Sequence, residues 1–119
     1  FFRSSDVFSE GIKTAPVANT ILADTGGLAE GVYDLIVSGE TSSPNPAHAL
    51  IFQHRNAANA ANLAIWNHLV SAPSNAVGLL APHHFAYAFA INERLRVLNA
   101  TALGPSQTTN AVIFARRRD

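Results

Sequence analysis

The residues from His84 to Val97 (HFAYAFAINERLRV) carry the clearest alternation of side-chain size in this chain. Large and small side chains occupy successive positions, which is the periodicity of a β-strand with two different faces. The alternation is interrupted at Asn92 and Glu93 and then resumes up to Val97. Two alternating runs joined by a short polar link predict a β-hairpin. The side chains that we expect this hairpin to place in the protein core are Phe85, Tyr87, Phe89 and Ile91.

The opposite face of the first run carries small side chains, at Ala86, Ala88 and Ala90. A flat surface of this kind lets another strand or another subunit lie close to the backbone. We therefore expect a neighbour on this face, with Arg94 and Arg96 making contacts between copies of the chain.

Further strands are predicted where apolar residues alternate between turn-forming stretches such as Asp24-Thr25-Gly26-Gly27 and the loop at 104–110. No segment has the periodicity of a long helix. Seven or eight short strands predict an all-β protein, a single antiparallel β-sandwich or jelly-roll-like domain. Outside the hairpin, the predicted strands cover residues 17–22, 31–38, 47–55, 63–70, 76–81 and 111–116.

The segment from Asn56 to Asn62 (NAANAAN) allows two interpretations. Alanine favours a helix, which Asn56 could cap and which would run to about Val70. Asparagine also tolerates turn geometry, and strand-like runs flank the segment on both sides. We favour a turn that pairs the strands at 47–55 and 63–70 as a hairpin.

The N-terminal residues 1–16 lack period-two alternation and mix polar residues with Phe1, Phe2 and Phe8. Exposed phenylalanines are unfavourable unless they pack against another surface. We interpret residues 1–16 as an extended arm that lies on its own domain or on a neighbour, and residues 17–119 as the sandwich domain.

Charge is scarce and unevenly placed. The formal net charge is zero, and charged residues make up 13% of the chain, against about 25% in a typical protein. Acidic residues lie mainly in the first 40 positions and basic residues near the end, so they could pair within one chain or between copies. A neutral surface argues against nucleic acid as a partner. No segment is long and apolar enough to span a membrane, so we expect no membrane contact.

No catalytic, metal or cofactor site is predicted. The chain has no cysteine, and neither a nucleophile motif nor a paired-carboxylate pattern is present. Pairing of the strands at 47–55 and 63–70 would bring two histidines together, but zinc needs at least a third ligand. We therefore expect no enzyme activity and ordinary hydrogen bonds for the histidines, which are His48, His54, His68, His83 and His84.

Three runs in the second half carry a resemblance: QHRNAAN at Gln53–Asn59, NERLRV at Asn92–Val97, and the closing VIFARRR. With them, residues 47–118 resemble the small β-sandwich virion proteins of tailed bacteriophages. These are decoration or cement proteins, which sit on the capsid exterior, often as trimers. The resemblance implies a protein made in the host cytoplasm that binds the major capsid protein and itself on the virion surface, as a homo-oligomer with a trimer favoured, and stabilises the shell.

Two alternatives remain. One is another phage virion component, such as a head-fibre base, a tail part or an adaptor. The other is a carbohydrate-binding β-sandwich that contacts the host surface through Trp66 with Tyr33 or Tyr87. For the assembly interpretation, the predicted interface residues are Phe1, Phe2, Phe8, Arg55, Arg94, Arg96, Arg116 and Arg117.

Overall fold

The computed structural model describes residues 3–41, 49–69, 78–100 and 102–118, without the side chains of 68, 69 and 78–82. The predicted interface residues Phe1 and Phe2, the residue His48 and the side chain of His68 therefore lie outside the described part. None of the described residues forms a helix, so none of them belongs to a helix able to cross a membrane. The eight strands are β1 (Val7–Thr14), β2 (Ile21–Asp24), β3 (Gly31–Thr41), β4 (Ala49–Arg55), β5 (Asn62–Leu69), β6 (Gly78–Phe89), β7 (Arg94–Asn99) and β8 (Thr108–Arg117).

The strands form two antiparallel four-stranded sheets. Sheet 1 has the order β1-β8-β3-β6, and sheet 2 has the order β2-β7-β4-β5. The antiparallel pairs are nested in sequence: β4 pairs with β5, β3 with β6, β2 with β7 and β1 with β8. Successive pairs alternate between sheet 2 and sheet 1. This is a jelly-roll arrangement of a β-sandwich, and it confirms the predicted fold class.

Alternation along the strands produces the core between the two sheets. On β3 the inward residues Tyr33, Leu35 and Val37 are buried, and on β4 the inward residues Leu50 and Phe52 are buried. Period-two placement of apolar side chains in both sheets is what permits the two inner faces to pack together. The core cluster also includes Leu22, Ala23, Leu28, Phe89, Leu95, Val97, Ala111, Ile113 and Ala115.

The turn between β4 and β5 confirms the hairpin interpretation of the asparagine-rich segment. β4 and β5 pair directly, with Phe52 opposite Trp66. Asn56 N donates to Ala61 O at 3.0 Å, and Asn56 Oδ1 accepts from Ala60 N at 2.9 Å. Asn59 adopts a positive φ of 54°, a conformation that asparagine tolerates better than most residues. The alternative helix is wrong.

The predicted hairpin at His84–Val97 is wrong, although both of its strands exist. β6 pairs with β3 in sheet 1, whereas β7 pairs with β2 and β4 in sheet 2. The link between them crosses from one sheet to the other and is held by Asn92 N donating to Leu28 O at 2.7 Å. Two strands that a connection places in different sheets keep their apolar faces inward, and so do the two strands of a hairpin. Alternation alone therefore does not distinguish a connection between sheets from a hairpin.

β6 is longer than expected, because residues 78–81 of the predicted strand at 76–81 belong to the same strand as the run that follows. Pro82 lies inside it, at a position where β6 forms the edge of sheet 1 and where its register to β3 shifts. Edges and bulges are where a sheet accommodates the missing N–H of proline. Of the four core residues expected here, Phe89 is buried and Phe85 and Tyr87 are half-buried. Ile91 follows the end of β6 and is 65% exposed, so its core assignment is wrong.

The N-terminal segment lies on its own domain, but not as an irregular arm. Residues Val7–Thr14 form β1, which pairs with β8 along its full length. Its inward positions are Val7, Ser9 and Gly11, and its outward positions include the larger Phe8 and Ile12. β1 is therefore an edge strand of sheet 1, at the end opposite β6, and its removal would expose β8.

Candidate functional site

The outer face of sheet 1 is apolar across three strands. On β8, Ile113 and Ala115 are fully buried, so Phe114 between them points outward. Phe114 lies in register with Phe8 on β1 and with Ile36 on β3. These three residues form a continuous apolar row across β1, β8 and β3.

The exposure of this face is large for a protein surface. Phe8 is 55% exposed, Ile36 is 39% exposed, and their neighbours Ile12 and Val32 are 66% and 41% exposed. Solvent-facing sides of antiparallel sheets usually carry polar residues. A group of exposed apolar side chains around one apolar row is typical of an interaction surface.

Two ion pairs on this face form within the chain. Arg116 donates from Nε to Asp6 Oδ1 at 3.0 Å and from Nη2 to Asp6 Oδ2 at 2.7 Å. The guanidinium of Arg116 lies 5.5 Å from the centre of the Phe114 ring. The hydrogen bond from Arg116 lowers the pKa of Asp6 to about 2. Arg118 likewise donates from Nη2 to Asp34 Oδ1 at 2.8 Å, which lowers the pKa of that carboxyl. The two arginines on this face are therefore paired within the chain, while the acids Glu10 and Glu40 also point outward from it.

The outer face of sheet 2 is different because three arginines meet there. Arg55 on β4 lies opposite Arg94 on β7, and Arg96 lies opposite Gln53 one pair further along. Asp24, at the end of β2, accepts from Arg94 Nη1 at 3.3 Å. We call Arg55, Arg94 and Arg96 the arginine cluster.

Neutral groups hold two members of the arginine cluster. Arg55 donates from Nε to Asn59 Oδ1 at 3.0 Å and from Nη1 to Asn62 Oδ1 at 2.9 Å. Arg96 donates from Nε to Gln53 Oε1 at 2.5 Å. Burial, followed by repulsion from Arg55, lowers the pKa of Arg96. The positions of these side chains are fixed, but their positive charge is offset only in part.

A row of hydrogen-bonded polar side chains crosses the interior between the sheets. His54, buried on β4, has Nδ1 2.8 Å from Tyr87 Oη and Nε2 2.9 Å from Glu93 Oε1. Glu93 Oε1 also accepts from Ala90 N at 2.8 Å. The hydrogen bonds from Ala90 N and from His54 lower the pKa of Glu93, and burial raises the pKa of Tyr87. These hydrogen bonds therefore join an ionised carboxylate, an imidazole and a protonated phenol.

An aromatic cavity of about 330 Å³ opens beside Tyr87, between β4, β5 and β6. The Trp66 and Tyr87 rings meet edge to face with centroids 5.3 Å apart. Concave aromatic surfaces with a few polar groups are typical of small-ligand sites. The lining residues are Phe52, Trp66, His83, His84, Phe85 and Tyr87.

Most of the predicted interface residues that the structure describes lie on one of the two outer faces. Phe8 and Arg116 lie on the outer face of sheet 1, and the arginine cluster lies on the outer face of sheet 2. Arg117, at the end of β8, donates from Nε to Glu30 O at 2.8 Å. The alternative in which acidic and basic residues pair within one chain is confirmed for Arg116, Arg118 and Arg94.

The role of His54 was missed in the sequence, although a signal for it exists. His54 alternates with Leu50 and Phe52 along a predicted strand, which places it on the inward face. A buried imidazole requires hydrogen-bond partners on both ring nitrogens. Among the described residues no group of three histidine or acidic side chains could hold a metal ion.

Solved structures with this fold include a complement protein and a virus. The globular domain of zebrafish complement 1qA protein superposes with a TM-score of 0.53 at 7% identity, over 94% of this chain and 99% of that one. A chain of infectious bursal disease virus, Gx strain, superposes with a TM-score of 0.51 at 4% identity, over 94% of this chain and 32% of that one. This chain thus spans about a third of the viral chain.

No family model matches the sequence, and no curated protein is significantly similar to it. At identities this low, structural similarity establishes the β-sandwich fold alone.

Proposed function

We propose that the chain is a structural component of a virus particle, a decoration protein that binds the capsid exterior and other copies of itself. The observation that carries this proposal is the apolar row that Phe8, Phe114 and Ile36 form on the outer face of sheet 1. The resemblance of residues 47–118 to phage decoration proteins supports the same role, and the fold is compatible with it.

The size of this face suits a protein interface. Four strands about 4.8 Å apart, with roughly nine residues each at about 3.4 Å per residue, give a face of roughly 19 by 30 Å. That is roughly 570 Å² in projection, the same order as the ~800 Å² that each partner buries in a standard interface. Arg116 and Arg118 are already paired with Asp6 and Asp34. A second apolar surface that covers the apolar row therefore leaves neither arginine unpaired.

The role that we propose involves no catalysis. On the outer face of sheet 1, Arg116 is engaged by Asp6 and Arg118 by Asp34 of the same chain. The interior chain from Tyr87 to Glu93 ties the two sheets together, which is a structural task.

The test of self-association uses two matched variants. Ile36→Lys places a charge in the middle of the apolar row, and Ile65→Lys makes the same change on β5, where Ile65 is also an exposed isoleucine. We expect the wild type and Ile65→Lys to have the mass of an oligomer by light scattering, and Ile36→Lys to have the mass of a monomer. A monomeric wild type, or an Ile36→Lys variant that still associates, would contradict a self-association role for sheet 1.

The capsid role has a separate test. Mass spectrometry of purified particles of the encoding virus should detect the chain in a fixed ratio to the major shell protein. Its absence from washed particles would contradict a place in the virion while leaving self-association standing.

A carbohydrate-binding role is the second candidate, and the aromatic cavity favours it. Trp66 and Tyr87 are half-buried at its wall, whereas Tyr33 is buried with its hydroxyl bonded to Ala29 O and cannot stack on a sugar. A glycan array that shows binding to the wild type and none to Trp66→Ala would support this role. An array without binding to the wild type would remove it.

A further inference from the structure

We propose that the arginine cluster on the outer face of sheet 2 is a binding site for carboxylates of an acidic protein segment. It would be a second contact surface, on the side of the sandwich opposite the apolar row. The inference does not depend on the virion role, because the site is argued from the local charges alone.

The first argument is the placement of like charges. Arg55 and Arg94 are directly opposite each other on β4 and β7, and Arg96 follows on the same outward side of β7. Like charges directly opposite on neighbouring strands destabilise a sheet. An arrangement that costs stability in the free protein becomes favourable when an anion binds between the charges.

The second argument is the charge balance. Asp24 is the carboxylate that faces the cluster from the neighbouring strand β2, and it contacts Arg94 at 3.3 Å. The groups that hold Arg55 and Arg96 are the neutral side chains of Asn59, Asn62 and Gln53. Three guanidinium groups and one carboxylate leave a local charge of +2 among these four residues, in a chain whose formal net charge is zero.

The third argument is an unused donor. Arg94 Nε is buried and has no hydrogen-bond partner among the described residues. A buried donor without a partner is unfavourable. The Arg94 side chain as a whole is 24% exposed, so a carboxylate can satisfy this donor when the guanidinium turns towards solvent. Its planar edge can then form two parallel hydrogen bonds.

A protein carboxylate fits better than nucleic acid. Affinity for a phosphate backbone comes from many basic contacts spread along a surface. Here the described arginines of sheet 2 are confined to one cluster, and the same outer face also carries the apolar Ile51 and Ile65. A small basic cluster beside apolar side chains suits an acidic segment that also carries apolar residues.

The experiment measures binding of a hexaglutamate peptide by isothermal titration calorimetry at low salt. Arg96→Gln should weaken binding at least about tenfold, the effect of losing one charge-assisted contact. Arg96→Lys keeps the charge but loses the planar guanidinium, so its affinity for the peptide should lie between those of the wild type and Arg96→Gln. Arg118→Gln is the control, because its guanidinium is engaged by Asp34 on the other sheet, and its affinity should equal that of the wild type.

Asp24→Asn should change the affinity for the peptide in the opposite direction from Arg96→Gln. It removes the carboxylate that competes for the cluster but keeps Oδ1, which accepts from Gly26 N at 2.7 Å, so the turn is preserved. We expect this variant to bind the peptide several-fold more tightly. A purely structural role for Asp24 predicts lower stability and no gain in affinity.

The contrary outcomes are equally definite. Absence of hexaglutamate binding to the wild type, or equal affinity in the wild type, Arg96→Gln and Asp24→Asn, overturns the site. Tighter binding of a single-stranded hexanucleotide or of inorganic phosphate than of the peptide overturns the assignment to protein carboxylates.

Discussion

His54 Nε2 lies 2.9 Å from Glu93 Oε1, and this contact ties strand β4 of sheet 2 to the point where the chain crosses from sheet 1. Because a carboxylate can only accept, the proton of this hydrogen bond belongs to His54 Nε2. The raised pKa of Tyr87 keeps its hydroxyl protonated, so Tyr87 can donate to His54 Nδ1. Every polar atom of the buried imidazole therefore has a partner.

Glu93→Ala should destabilise the protein without changing the fold. The substitution leaves His54 Nε2 and Ala90 N without the acceptor that both now share. Loss of a partner for a buried donor costs about 1–3 kcal/mol. We expect a loss of that size in the free energy of unfolding, measured by urea denaturation at neutral pH.

Glu30→Ala is the control for that measurement, since Glu30 is exposed in the segment before β3. Its effect should stay within about 0.5 kcal/mol, as for most surface substitutions. Equal stability of Glu93→Ala and Glu30→Ala would mean that the interior hydrogen bonds contribute nothing.

The contact between Asp6 and Arg116 should make stability depend on acid. The pKa of Asp6 falls from its ordinary 3.8 to about 2 in the folded protein, because Arg116 donates to the carboxylate. A lowered folded-state pKa stabilises the protein above the ordinary pKa, and this stabilisation is lost as the pH falls through the lowered value. The urea midpoint of the wild type should therefore exceed that of Asp6→Asn at pH 7, and the difference should shrink between about pH 4 and pH 2.

Glu10→Gln provides the comparison for acid dependence, because Glu10 is an exposed acid on β1, the strand that begins directly after Asp6. Its difference from the wild type should change little over that pH interval. A difference between wild type and Asp6→Asn that stays constant down to pH 2 would contradict the ion pair.

The sequence predicts the sandwich but not how its strands connect. Alternation identifies which side of β6 and of β7 faces the core, and Phe89 and Leu95 are both buried as that pattern requires. It carries no information on the partner strand, and here the partners lie in different sheets. At the β4–β5 turn, the hairpin followed from the asparagines, whose tolerance of positive φ is a local property.

The first strand could not be recognised because its pattern is inverted. Its inward positions include Ser9 and Gly11, while the larger Phe8 and Ile12 point outward. Inward side chains are small because β1 packs tightly on β2, where Ser9 Oγ accepts from Asp24 N at 3.0 Å. A strand that is apolar outside and small inside does not match the pattern of a half-solvated strand.

The arginine cluster was only half visible in the sequence. Arg94 and Arg96 share a strand face by spacing, so the sequence alone groups them. Arg55 comes from a distant part of the chain and joins them through the pairing of β4 with β7. Such long-range register is set by the packing of the whole sandwich and by no local signal.

Gly11→Ala should open the edge of the sandwich where β1 and β2 meet. A Cβ at position 11 would collide with the backbone oxygen of Leu22, which is not free to move as a side chain would be. Overpacking of this kind costs about 1–3 kcal/mol. We expect a loss of stability in this range on thermal unfolding, together with faster amide exchange in β1.

Gly104→Ala is the matched control, because the nearest atom to a Cβ there is the end of the flexible Gln107 side chain. Its effect should stay within about 0.5 kcal/mol. A Gly11→Ala variant as stable as Gly104→Ala would show that β1 can move away from β2 at no cost.

Two substitutions of Asn59 in the β4–β5 turn should separate the contribution of its side-chain hydrogen bond from that of its tolerance of a positive φ. This residue has a φ of 54° and accepts from Arg55 Nε through Oδ1 at 3.0 Å, while its backbone oxygen accepts from Arg55 Nη2 at 2.7 Å. Asn59→Gly removes the side-chain hydrogen bond but suits the positive φ, so it should cost about 0.5–1.5 kcal/mol.

Asn59→Ala removes the same hydrogen bond and adds left-handed strain of about 1 kcal/mol. The alanine variant should therefore be less stable than the glycine variant by about that amount in urea denaturation. Ala60→Gly serves as the control for added chain flexibility in the same turn, because Ala60 is not among the residues with positive φ. If Asn59→Gly were the less stable of the two variants, the entropy of the unfolded chain would outweigh the strain at this position.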